Sequence, residues 1–441
     1  MRRFILVACL LLPAMGAWGQ GTSDPMTLKF PLPVRPPPPG ETPAPGRTPA
    51  EAPPPAVSRP AVAAAPAAPI VAPGAQPLTI GMLLTLSGPG AILGQHARDG
   101  FELALKQRGG RLGGRVVNLV VVDDEQKPDV AAARATRLVE QDKAEFVVGP
   151  IFSTVLGAIF RPVTGAGVIL ISPSAGSSAF AGKACSPNFF VTSYENSQVD
   201  QVLGQFAQSR GLKRAFLLAP DDQAGRDAVA GFKSRFKGEV LDQDLGPPAQ
   251  LDFQADLARI RAAKPDVVFA FMPGESGVNL VKQFRQSGLA ATIPFLSALT
   301  IDETTLPAQQ IAAMGMFGGM TWAPDTGTPA NRAFASSFEA AYGYVPASYA
   351  MNGFDAAQLI DSALKATGGK VSDKEALRTA LRAADFTSPR GPFQFNTNGY
   401  PVQDFYLVQV VQRADGKFAT AIRQRVFNGY ADEFAGECGL K

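Results

Sequence analysis

Few residues of this 441-residue chain stand where they could do chemistry, and the first group is a glycine-rich turn. Gly88, Gly90 and Gly94 follow the apolar run LTIGMLL and precede an amphipathic stretch, a setting in which backbone amides can cradle a phosphate. Asp123 and Asp124 close the next apolar run, RVVNLVVVDD, where a dinucleotide fold places an acid on the ribose. The spacing does not fit. The glycine pattern is off by one, Pro89 sits inside the turn, and Asp123 lies 29 residues past Gly94 rather than about 20. No nucleotide cofactor is expected.

Nucleophilic and metal chemistry have equally little to work with. His96 is the only histidine; beside Gln95 and Arg98 in a first helical turn, it is expected to be solvated. No G-x-S-x-G, H-E-x-x-H or C-x-x-C stands in the chain, so no catalytic residue and no metal ligand is predicted. VDDE offers oxygens to a cation, but acids at strand ends are commonly structural. A net charge of +3 with scattered Lys and Arg leaves no nucleic-acid footprint.

The elements that must position such residues alternate in type. Short β-rich runs (LTIGMLL, RVVNLVVVDD, EFVVGP, GVILIS, RAFLLAP, DVVFAFM, GMFGGMTW) are separated by helical patterns. In one of these Leu93, Ala97, Phe101, Ala104 and Leu105 share a face. Pro128 is placed to open a second helix and Asp252 to cap a third. Alternation of this kind predicts βαβ units and parallel sheets, covered on both faces because the runs are apolar throughout. More than 350 residues of this pattern exceed a single core, so two α/β lobes are expected. Ligands of such folds bind at the carboxyl ends of the strands.

The N-terminus has another character. MRR followed by FILVACLLLPAM reads as a secretory signal peptide over 1–19, with cleavage after Gly19 or retention as an anchor. LVAC faintly matches a lipoprotein box, but the apolar core runs on past Cys9. Residues 20–77 hold 18 of the 38 prolines, the composition of a disordered linker or spacer. Export permits disulfides, so Cys185 and Cys438 are either one long-range bridge or two thiols.

IGMLLTLSGPGAILGQHARDGFELAL, VVVDDEQKPDVAAARATRLVEQDKAEFVVGP and VILISPSAGSS together resemble the leucine/isoleucine/valine-binding type of periplasmic solute receptor for ABC importers, from about Leu78 to Arg425. The resemblance implies a type I periplasmic binding fold: two Rossmann-like lobes joined by three crossovers and closing on a solute. Lobe 1 would comprise 78–192 plus 324–400, lobe 2 193–323 plus 401–425, and 426–441 a tail. By the same likeness Ser153, Ser174, Ala175, Gly176 and Ser177 grip a ligand carboxylate, Tyr349 and Tyr194 wall the slot, and Leu93, with Ser87 and Gly94, touches the solute. It further implies no enzyme activity, a periplasmic location, a monomer, and an ABC permease in the inner membrane as partner.

The family's amino-acid receptors present an acid to the ligand's ammonium group. Here apolar Ala298 and Leu299 stand near that place, with Asp302, Glu303 or Glu275 as substitutes. This moves the expected ligand from a branched-chain amino acid toward an aromatic or other organic acid, with Phe271, Phe295 and Phe354 as further wall candidates. A ligand sensor or envelope regulator on the same fold stays open as the alternative, since the Pro-rich segment suits a protein that must reach a partner.

Overall fold

The computed structural model describes residues 76–440. The signal segment and the linker up to residue 75 lie outside the described residues; Gln76 and Pro77 are held by the Arg115 guanidinium, which donates to both carbonyls at 3.2 and 3.1 Å.

Six strands form the first sheet: β1 (Leu78–Leu84), β2 (Arg111–Leu112), β3 (Arg115–Asp123), β4 (Phe146–Val148), β5 (Ile169–Ser172) and β6 (Phe189–Val191). Their order is β2-β3-β1-β4-β5-β6, parallel except for the short β2–β3 hairpin. The second sheet holds β7 (Arg214–Pro220), β8 (Glu239–Gly246), β9 (Val267–Ala270), β10 (Phe295–Ser297), β11 (Phe317–Met320), β12 (Gln394–Phe395), β13 (Pro401–Gln412) and β14 (Phe418–Tyr430). Its order, β8-β7-β9-β10-β11, repeats the β3-β1-β4-β5-β6 order of the first.

The β1 run is buried along almost its whole length, as expected for a central strand with helices on both faces. β3, nearer the edge, departs from that expectation and leaves Val116 and Val121 exposed. The purely parallel expectation is also corrected: β13 runs antiparallel to β11, and β14 antiparallel to β13. β13 alternates buried and half-buried positions, the period-2 pattern of a strand with unlike faces. β14 continues to Tyr430.

Helix Ala91–Gln107 crosses helix Ser348–Ala366 at close range, because Gly100 and Gly353 offer no Cβ to the other's backbone: one built there would lie 1.9 Å from Ala350 O and 2.0 Å from Ala97 O. His96 faces this packing and is buried, correcting the solvated expectation. Its Nδ1 accepts the Ala347 N–H at 3.1 Å, its ring lies 4.6 Å from Tyr344, and burial lowers its pKa to about 3, so it is a neutral core residue. Pro128 opens its helix. Asp252 accepts the Gln254 N–H at 3.0 Å from one residue before the cap position, which Phe253 holds.

The chain passes from the first sheet to the second near residues 192–197, returns after 321–328 to pack helix Ser348–Ala366 on helix Ala91–Gln107, and rejoins the second sheet at β12 and β13. Arg390, almost fully buried, gathers two of these passages. It donates to Thr192 O and Ser193 O, to Gln403 Oε1, and to Asn352 and Asp355 of helix Ser348–Ala366. A disulfide joins Cys185, before β6, to Cys438 in the tail beyond β14. No helix among the described residues is long and apolar enough to cross a membrane.

Candidate ligand-binding cleft

A cavity of about 860 Å³, mouth included, opens between the carboxyl edges of the two sheets. Every strand exit that reaches it does so because the chain must turn there, which leaves backbone amides and short polar side chains at the surface of the gap.

The wall on the first sheet is rich in donors. Ser153 begins helix Ser153–Thr164, whose preceding residue Phe152 supplies no side-chain cap. The first-turn N–H groups and the positive end of the helix dipole are therefore available to an anion. After β5, Ser174 and Ala175 line the same wall. Their loop is pinned by Ser172 Oγ donating to Ala175 O at 2.7 Å and Ser193 Oγ to Ser174 O at 2.8 Å. Leu93, Tyr194 and Tyr349 complete it. Burial pushes both phenols well above their ordinary range, so they stay neutral.

Two of the residues expected to grip the carboxylate are placed elsewhere. Gly176 lies behind the wall: its N–H donates to Asn196 Oδ1 at 3.0 Å, and a Cβ there would sit 1.9 Å from Tyr194 O. Ser177 is buried, and its carbonyl accepts the Tyr400 hydroxyl at 2.8 Å. Neither is among the residues that line the cavity.

In the opening turn, Pro89 and Gly90 line the cavity in place of Ser87 and Gly94. Gly94 instead lets the helix press on the strand exit, since a Cβ would meet Thr85 O at 1.9 Å. The two acids after β3 shape this loop. Asp123 accepts the Leu86 N–H at 2.9 Å, and Asp124 accepts from Thr85 Oγ at 2.6 Å and the Gln126 N–H at 2.8 Å.

The wall on the second sheet is more apolar. Phe271, Met272 and Leu299 line it, with Pro220, Asp222 and Glu275 toward its ends. Asp222 caps helix Gln223–Arg235 through the Gly225 N–H at 2.8 Å. Asp302 and Glu303 do not line the cavity; they are buried, bonded to Thr304 and Thr420, and pushed up by burial to about 6 and about 7. Phe295 packs 5.0 Å from Phe284 and Phe354 4.9 Å from Phe334, both in the core rather than the cleft. The rims meet where a Cβ on Gly274 would come within 3.0 Å of Pro89 O. Asn196, unforeseen from the sequence, lines the cavity beside Ser153; its only signal was a polar residue in the passage between sheets.

A family model, periplasmic binding protein, matches residues 77–417. The chain belongs to the periplasmic binding protein family. It is similar to the Leu/Ile/Val-binding protein homolog 6 of Brucella melitensis, with 28% identity over 356 residues, 78% of this chain and 90% of that protein. Among solved structures, an R. palustris ABC-transporter solute-binding protein in complex with benzoate is 35% identical, covers 83% of this chain and 100% of its own, and superposes with a TM-score of 0.78. A solute-binding protein of Rhodopseudomonas palustris BisB5 in complex with 3,4-dihydroxybenzoic acid is 28% identical over 81% of this chain and 98% of its own, with a TM-score of 0.75. This periplasmic binding protein has the type I fold of its family and is a solute receptor, not an enzyme. Its homologues bind small molecules and serve ABC transporters.

Proposed function

We propose that this protein is the extracytoplasmic receptor of an ABC importer and captures an aromatic carboxylate by closure of two lobes, 78–192 plus 324–400 and 193–323 plus 401–425. One observation carries the choice of ligand: a donor-lined helix N-terminus at Ser153 faces an apolar wall of Phe271, Met272 and Leu299 across one cavity. A carboxylate accepts from the first wall, each charge-assisted bond contributing roughly 1.5 to 3 kcal/mol, while a ring is covered by the second. An α-ammonium group needs a committed acid when desolvated. Asp222 is spent as a cap, Asp302 and Glu303 are turned away, and Glu275 is exposed. The likeness to the benzoate-bound receptor supports the same choice.

Export by cleavage of residues 1–19, a periplasmic location, a monomeric state and delivery to an inner-membrane permease belong to this proposal. Calorimetric titration with benzoate, leucine and isoleucine tests it. Benzoate is expected to bind at least tenfold tighter than either amino acid, a gap of about 1.4 kcal/mol. The reverse ranking overturns the aromatic assignment.

A further inference from the structure

The Asn196 side chain occupies a position in which its two ends cannot be exchanged. On one side lies the Gly176 N–H, a donor, 3.0 Å from Oδ1. On the other lies the Asp227 carboxylate, an acceptor, 2.9 Å from Nδ2. The oxygen must face the glycine and the NH2 must face the acid. Asp227 belongs to helix Gln223–Arg235, after the first strand of the second sheet, and is itself held there. Ser178 Oγ and Gln223 Nε2 donate to it at 2.9 and 2.8 Å. The amide is thus anchored from both sheets.

Its orientation dictates that of Ser153. The second Nδ2 hydrogen points at Ser153 Oγ, 3.0 Å away. An NH2 group cannot accept, so the serine oxygen must take this bond as acceptor. No other described group bonds Ser153 Oγ, and both Ser153 and Asn196 line the cavity. The hydroxyl hydrogen is therefore left to point into the cleft, beside the first-turn amides of its helix.

We infer that Asn196 is the positioning residue that sets the polarity of the ligand-carboxylate site, by holding Ser153 as a donor toward the solute. This rests on the carboxylate-binding proposal above. The site would then select an acidic solute over its neutral amide, whose NH2 would oppose donors.

The test is titration calorimetry on the full chain with two probe pairs, benzoate against benzamide and leucine against leucinamide. Wild-type protein is expected to favour the acid of the pair it takes by about 100-fold. Asn196→Asp places an acceptor against Ser153, whose hydroxyl then turns away from the solute. The acid should weaken by about tenfold, as it would if the hydroxyl were removed, while its amide changes by less than about threefold.

The double variant Asn196→Asp/Asp227→Asn restores one amide opposite one carboxylate, so a purely structural brace would recover. It should regain the wild-type melting temperature yet keep the altered ratio, because residue 196 still accepts from Ser153. A ratio unchanged in Asn196→Asp, or an acid preference regained in the double variant, overturns the inference. Where the single variant does not fold, the double variant decides alone. Wild-type protein that takes leucine and not benzoate overturns the aromatic assignment only, and Asn196 is then judged on the leucine pair. Wild-type protein that takes neither acid overturns both.

Discussion

The two walls of the cleft are made by the same strand order, β3-β1-β4-β5-β6 in one sheet and β8-β7-β9-β10-β11 in the other, yet their strand exits carry opposite chemistry. After β4 and β5 come Ser153, Ser174 and Ala175 with an uncapped helix start; after β9 and β10 come Phe271, Met272 and Leu299. Equivalent turns offer equivalent backbone donors, so the difference lies in the side chains and in what already satisfies those donors. On the second sheet the equivalent helix after β9, Glu275–Gln286, also starts without a side-chain cap, but Glu275 sets a carboxylate in its first turn. On the first sheet no acid stands in the first turn of helix Ser153–Thr164. A repeated fold thus becomes a polarised receptor by placing an acid and apolar side chains at one helix start and leaving the other open to an anion.

The strongest blow to that contrast is expected from the apolar side. Phe271→Ala removes a nearly buried ring from the wall and should cost about 2 kcal/mol of benzoate affinity, about 30-fold in Kd by calorimetry. A wild-type Kd would show that the ring of the ligand lies elsewhere. Ser153→Ala is milder, since the helix amides remain. Benzoate should weaken about tenfold, near 1.4 kcal/mol, with benzamide little affected. Unchanged benzoate affinity would remove Ser153 from the site and leave the donor wall to the backbone alone.

How much of this could be read beforehand depended on the range of the interaction. Apolar runs and helical faces are local, so most core strands and the two-lobed α/β alternation were legible from Leu78 onward, while the type I fold came with the family resemblance. Ser153, Ser174, Ala175, Leu93, Tyr194 and Tyr349 were named through the family's motif, and each lines the cavity. Gly176 carried the same motif, but its N–H is consumed by Asn196, twenty residues on. His96 misled because its partners Ala347 and Tyr344 lie some 250 residues away, and nothing in its own helix marks the face they cover. β13 and β14 were not named as strands although the alternation in PVQDFYLVQVVQ is a strand signal; what that alternation leaves open is the sheet edge that receives them.

The smallest effect concerns what lies beneath both walls, where the chain first passes between the sheets. Glu195 is fully buried there and bonds Ser197 Oγ at 2.5 Å. Burial first, then the nearby Asp227 and Asp432 charges, push its pKa from 4.5 up to about 8. The folded state therefore holds a proton that the unfolded chain releases. This stabilisation is fully present below pH 4.5 and is lost as pH rises through about 8. Glu303 and Asp302 act with the same sign, but their losses centre near pH 7 and 6. Asp200, whose carboxyl oxygens lack a partner, is pushed the same way. His96 has the opposite sign: its contribution is complete above 6.5 and fades as pH falls through about 3, so it is silent in the alkaline range. Between pH 7 and 9 the melting temperature of ligand-free protein should fall by about 3 °C, and Glu195→Gln should remove much of that slope. Parallel melting curves for the two proteins across this range would mean that Glu195 is already ionised, and that the passage beneath the walls carries charge rather than a shared, proton-filled polar core.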